Sequence, residues 1–152
     1  MGPWSDGTLV QLLPVRRPAP IQGKVPPYIA IVDDEEPVRK ALKRLLRASG
    51  LEAESYAGGK EFLAAAVARK PDCVVLDLHM PVMGGLQVLR EMRASRLALP
   101  AVVITAYDEP ETRAQCLAAG AAAYLRKPLD ERVLLSTISA TLGGAVQGQR
   151  HN

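Results

Sequence analysis

The feature that most constrains this chain is a repeated change of hydrophobic period. Five short apolar runs, "YIAIV" (28–32), "LEAESY" (51–56), "CVVLD" (73–77), "AVVIT" (101–105) and "AAYL" (122–125), are each followed by a helix-like segment. In the first such segment Val38, Ala41, Leu42, Leu45 and Leu46 recur at the spacing of one helix face. Gly50 and Gly120 stand where helix ends need a residue free to take positive φ, and Pro100 suits the start of a strand. "CVVL" and "AVVI" lack alternation, as strands buried on both sides should. Five βα units predict an α/β fold with a doubly wound parallel sheet, because right-handed crossovers put helices on both faces. No repeat of solenoid period is visible.

Composition narrows the class further. A chain of 152 residues, 48% hydrophobic and 23% charged, reads as one soluble domain. No apolar run approaches the ~18 residues of a membrane span. "TLVQLLPV" is broken by Gln11 and Pro14, so it does not read as a secretory signal, and a cytoplasmic location is expected. Cys73 and Cys116 lack metal-ligand or redox spacing and are expected as buried free thiols. A net charge of +3 does not imply nucleic acid. Six of the twelve prolines fall in the first 27 residues, so 1–27 is expected to be a disordered tail. The domain is expected over 28–142, with "GGAVQGQRHN" (143–152) as a linker stub.

In an open doubly wound sheet, ligands bind outside the carboxyl ends of the strands. Here the first strand ends in Asp33-Asp34, the third in Asp77 and the fourth in Thr105; the fifth runs into Lys127-Pro128. "DDEE" (33–36) sets four acids at the mouth of the core. Like charges ~4 Å apart repel by roughly 4 kcal/mol at an effective dielectric of 20. These acids must therefore fan out and cap a helix, or surround something positive.

The motifs "IVDDEEPVRKAL", "VVLDLHMPVMGGLQVL", "VVITAY" and "GAAAYLRKPL" resemble the receiver domain of two-component response regulators, especially those preceding LuxR-type DNA-binding domains. The resemblance covers 28–142. It implies a flavodoxin-like (βα)5 sandwich with strand order 2-1-3-4-5, which periodicity alone does not fix. It also implies a Mg²⁺ site, with Asp34 and Asp77 as direct ligands, Asp33 acting through water and His79 offering its main-chain carbonyl. Oxygen ligands suit that ion. Asp77 would accept a phosphoryl group from a histidine kinase or phosphotransfer protein, with Thr105 and Lys127 meeting the phosphoryl oxygens. A signalling phosphoacceptor rather than an enzyme is implied, assisting its own phosphorylation and dephosphorylation. The family aims the lysine through a cis Lys127–Pro128 bond. Thr105 and Tyr124 are the implied switch pair, and 108–142 the responsive face, through which a homodimer could form.

Several residues carry readings of their own. Glu35 and Glu36 fall where acids favour a helix dipole. His79 and Tyr107, two residues beyond Asp77 and Thr105, are bulky enough to shield a phosphoryl group and slow its loss. Met80 and Met83 read as loop cover. Arg39, Lys40, Lys43, Arg44 and Arg47 form either a solvated helix face or a dock for a kinase or phosphotransfer helix; direct nucleic-acid binding is not expected. A haloacid-dehalogenase-like phosphatase would need an acid two residues after its nucleophile, where His79 stands. A flavodoxin-like nucleotide binder would meet repulsion from "DDEE", and no P-loop or GxGxxG occurs. A degenerate receiver is countered by all five strand-end residues being intact.

Overall fold

The computed structural model describes residues 25–151, with side chains through residue 143. Strands β1 (Tyr28–Val32), β2 (Glu52–Tyr56), β3 (Cys73–Asp77), β4 (Ala101–Thr105) and β5 (Ala123–Arg126) alternate with five helices. These are α1 (Glu36–Ala48), α2 (Gly59–Ala68), α3 (Gly85–Ala94), α4 (Pro110–Ala118) and α5 (Glu131–His151). All strand pairs are parallel, in the order β2-β1-β3-β4-β5. This is the doubly wound order that the family resemblance implies.

Burial follows from that order. The three inner strands β1, β3 and β4 are buried at every position, whereas edge strands β2 and β5 are only partly covered. Helices α1 and α5 close one face with Leu42, Leu46, Leu134 and Ile138 against Ile29, Ile31, Val75 and Ile104. Phe62, Ala66, Val88, Leu89, Met92 and Cys116 close the other over Val32, Leu76 and Val103. Both cysteines are free and buried.

Local chemistry sets the helix ends. Pro37 and Pro110 lie in the first turns of α1 and α4, where a missing N–H costs no intrahelical bond. Gly50 and Gly120 take φ of 85° and 106° just beyond α1 and α4. The Lys127–Pro128 bond is cis. At Gly85 a Cβ would stand 2.6 Å from the Asp77 carbonyl oxygen, so glycine is what lets α3 start directly against the end of β3.

One boundary differs from the sequence reading. Helix α5 continues past Leu142 to His151, through the segment expected as a linker stub; Ala145, Val146, Gln147 and Arg150 are compatible with helix, and the glycines only lower its propensity. The tail expected over 1–27 lies outside the described residues except for 25–27, which form no element.

The loop after β3 holds an irregularity. Val82 has φ of 69°, the Met83 amide donates to the Pro81 carbonyl at 2.7 Å, and the Val82 side chain is 89% exposed. A γ-turn centred on a β-branched residue at positive φ is strained, and no burial of Val82 compensates. Replacing Val82 by Gly should therefore raise stability by about 0.5–1 kcal/mol, the left-handed penalty less the greater chain entropy of glycine. Urea unfolding would show a higher midpoint at unchanged slope; a lower midpoint would contradict the assignment of strain.

Candidate functional site

Strand order brings the acids together. Because β1 and β3 are hydrogen-bonded neighbours, the residues leaving their carboxyl ends share one small volume. Each of Asp33, Asp34 and Asp77 offers a carboxylate oxygen within 4.8 Å of the others. Asp33 is fully buried and Asp77 nearly so, while Asp34 is exposed. Buried carboxylates at this spacing need a countercharge. Lys127 provides one: its Nζ lies 3.0 Å from Asp33 Oδ2 and 3.4 Å from Asp77 Oδ1. The Lys127 amide donates to the Thr105 carbonyl at 2.7 Å, which fastens the start of the lysine's loop to the end of β4.

Asp33 also organises the start of α1. Its Oδ1 accepts the Glu35 amide at 2.8 Å, and its carbonyl accepts Arg39 Nη1 at 2.8 Å. Glu36 lies in the first helical turn, pairing with Lys40 at 3.4 Å. Glu35 departs from its expected helix-end role. It is the N-cap residue but makes no side-chain cap bond, and its Oε1 instead lies 3.6 Å from Lys127 Nζ. The residue at N2 is Pro37, which has no N–H to offer a capping side chain, and the Glu35 carboxylate turns to the lysine instead.

The electrostatics remain unbalanced. Burial, then the charge of Asp33, pushes the Asp77 carboxyl up to about 6, with Lys127 opposing and Asp34 adding. Burial works against the charge on Lys127, yet its hydrogen bond to Asp33 and the charges of Asp77 and Asp33 keep its pKa above the ordinary value. One lysine thus faces three carboxylates. The donor set is all oxygen, clustered and anionic, which fits a hard dication such as Mg²⁺. His79 lies two residues beyond Asp77, in the loop that leaves the carboxyl end of β3.

Thr105 is fully buried at the end of β4. Its hydroxyl donates to the Tyr107 carbonyl and accepts the Tyr107 amide, both at 3.0 Å. Tyr124 pairs in register with Val103, so it shares a sheet face with Thr105 one strand away. His79 and Tyr107 meet edge to face, ring centroids 5.4 Å apart, across the loops after β3 and β4. The basic face of α1 is more engaged than its sequence suggests: Arg47 pairs with Glu54 on β2 at 3.6 Å, besides the Arg39 and Lys40 contacts. Two contributors near Tyr124, Arg113 and Asp108, escaped the sequence reading. Their only signal there is an acid five residues before an arginine across a helix start.

An open parallel α/β fold with a lysine-braced acidic cluster at the carboxyl edge of its central strands defines the class. The chain belongs to the response regulator receiver domain family, whose model matches residues 29–139. It is 31% identical over 125 residues to the transcriptional regulatory protein FixJ of Azorhizobium caulinodans, covering 82% of this chain and 59% of that one. It is 40% identical over 118 residues to the response regulator MprA of Mycolicibacterium vanbaalenii, covering 78% and 51%. The chain therefore spans little more than half the length of either relative. A CheY-like receiver domain from Methanospirillum hungatei JF-1 superposes with a TM-score of 0.77 at 29% identity, covering 82% of this chain and 99% of that one. Among the described residues no helix is long and apolar enough to cross a membrane.

The raised Asp77 pKa has a defined sign. Stability linked to a carboxyl whose folded pKa exceeds its unfolded value of 3.8 is fully present below pH 3.8 and is lost as pH rises through about 6. At about 1.4 kcal/mol per pH unit the loss is of order 3 kcal/mol in metal-free protein. Asp77→Asn should therefore stabilise the metal-free chain at pH 7.5 but hardly at pH 4. Mg²⁺ should raise the wild-type Tm at pH 7.5 far more than at pH 4. Melting curves across pH with and without Mg²⁺ test this, and a pH-independent difference between wild type and Asp77→Asn would contradict it.

Proposed function

We propose that this receiver domain accepts a phosphoryl group on Asp77, in a Mg²⁺-dependent reaction, from a phosphohistidine on a histidine kinase or phosphotransfer protein. The observation that carries the reading is the cluster of Asp33, Asp34 and Asp77 within 4.8 Å, braced by Lys127 at 3.0 and 3.4 Å. An Asp77 oxygen attacks phosphorus, the P–N bond to the donor imidazole breaks, and its electron pair returns to the imidazole nitrogen, which regains a proton from solvent. The product is an acyl phosphate. Asp33, Asp34, Asp77 and the His79 carbonyl would hold Mg²⁺, which when bound supplies positive charge to the phosphoryl oxygens. Lys127, already between Asp33 and Asp77, meets one phosphoryl oxygen. Thr105 can donate to another only by giving up its bond to the Tyr107 carbonyl, which links phosphorylation to movement of the loop after β4. Tyr124, on the same sheet face, responds to that movement. Phosphorylation then shifts a two-state equilibrium over 108–142, the face offered to an output partner or a second copy. Exposed Leu117 on α4 and Val133 on α5 suit such a contact.

The donor's approach is favoured by the surface beside Lys127. An apolar groove of about 330 Å³ runs between α1 and the start of α5, lined by Val38, Leu42, Leu45, Pro128 and Leu129 together with Lys127. Lys43 and Arg44 of α1 make no ion pair among the described residues. A donor helix with an apolar face and acidic rim fits this edge and would bring its phosphohistidine to Asp77.

Intact mass after incubation with a small phosphodonor tests the reading. Wild type with Mg²⁺ should gain one phosphoryl group; wild type without Mg²⁺ and Asp77→Asn should gain none. Modification of Asp77→Asn to the wild-type level would overturn the assignment. The edge-to-face contact of His79 and Tyr107 supports shielding of the acyl phosphate from water. Tyr107→Ala should accordingly shorten its lifetime severalfold, and an unchanged decay rate would refute the shielding role.

A further inference from the structure

Around Tyr124 lies a constellation that phosphoacceptor chemistry does not use. Arg113, on α4, sets its guanidinium 5.3 Å from the centre of the Tyr124 ring, within cation–π range. The same guanidinium donates to Asp108 Oδ2 at 2.7 Å. Asp108 belongs to the loop after β4 that begins at Thr105, only one residue beyond the Tyr107 backbone that engages the Thr105 hydroxyl. One side chain therefore spans the mobile partners of the proposed switch, with one contact on the aromatic of β5 and the other on the loop that Thr105 must release. The arginine is half exposed, its side chain 50% accessible, so it lies over these groups from outside and is not a core residue.

A second observation singles out this corner. Among the described residues, the buried side-chain oxygens and nitrogens without a protein hydrogen-bond partner are Asp108 Oδ1 and the Tyr124 hydroxyl oxygen. Both belong to residues that Arg113 contacts. The Glu109 main chain lies against the tyrosine hydroxyl. Hydrogen-bonding capacity among the protein groups is therefore left over where the arginine bridges loop and strand.

We propose that Arg113 is a positioning residue, a latch that ties Tyr124 to the Asp108 loop and so sets the threshold for switching. This rests on the phosphoacceptor reading of Asp77 and adds to it the residue that weights the resting state. In that state Arg113 holds ring and loop together. When Thr105 turns to the phosphoryl group the loop shifts, the Asp108–Arg113 bond is strained or lost, and Tyr124 is freed. Because binding at one site and conformation at another are linked reciprocally, loosening the latch must strengthen binding at Asp77.

The probe is beryllofluoride with Mg²⁺, followed by fluorine NMR on the full chain. Arg113→Ala should bind it about fivefold more tightly than wild type and should broaden or shift the Tyr124 ring resonances in unliganded protein. Arg113→Lys, keeping the charge and much of the reach, should stay within twofold of wild type. In a Tyr124→Ala background the effect of Arg113→Ala should shrink substantially, a coupling that loss of a merely structural arginine would not produce. Unchanged or weaker binding by Arg113→Ala, in protein whose wild type binds, overturns the latch alone. Wild type that binds no beryllofluoride, or no better than Asp77→Asn, overturns the phosphoacceptor reading and the latch with it.

Discussion

Two buried carboxylates from adjacent strands, held by one lysine from a third element, are the constraint around which the carboxyl edge of this sheet is arranged. Asp33 and Asp77 are both almost inaccessible, and burying like charges side by side is unfavourable unless each is paired. Lys127 meets this need by lying between them, its side chain reaching from the loop after β5 past the ends of β4 and β3. The bond from the Lys127 amide to Thr105 holds that loop down. Gly85 holds α3 close against the same edge by leaving the Asp77 and Leu78 backbone uncovered. One lysine against the carboxylates of Asp33, Asp34 and Asp77 leaves the site short of positive charge, which adds to burial in raising the pKa of Asp77.

The shortage connects the edge to the rest of the molecule through few atoms. The inner strands are buried along their whole length between two layers of side chains, and such close packing resists local rearrangement. The loops have alternatives. Thr105 is bonded twice to the Tyr107 backbone through an oxygen that can accept and donate elsewhere, and Asp108 and Tyr124 retain unused hydrogen-bonding capacity. A new charge at Asp77 would therefore be answered by the loop after β4, with β4 itself staying in place.

Much of this was legible in the residues. Period and punctuation located the strands to within a residue or two, and the strand-end rule selected Asp33, Asp34, Asp77, Thr105 and Lys127 before any contact was known. Strand order was not legible from pattern: "YIAIV", "CVVLD" and "AVVIT" are all continuous apolar runs, and any of them could have been central. Family resemblance supplied the order that makes Asp33 and Asp77 neighbours. Side-chain partnerships across elements stayed hidden for a related reason. Glu35 occupies a helix start, where sequence logic assigns it to the dipole, yet the Asp33 turn engages its amide and Lys127 draws its carboxylate. Arg113 reads as one more polar residue on a short helix until β5 is laid beside it. Val82 could not have been foreseen at all, since a β-branched residue is what turn chemistry disfavours at positive φ.

In the proposed function, the loops after β3 and β4 bear on the two halves of signal lifetime at different places. His79 and Tyr107 meet edge to face across these two loops, whereas Asp108 and Arg113 pair further along the second. Tyr107 belongs to both sets, since its ring leans on His79 while its backbone engages Thr105. A loop shift that freed Thr105 would therefore also move the Tyr107 ring. In the proposed function, switching and dephosphorylation are thus not independent quantities. A substitution that changes the ring alone alters persistence, while one that changes the latch alters the population of the switched state and, through Tyr107, the access of water as well.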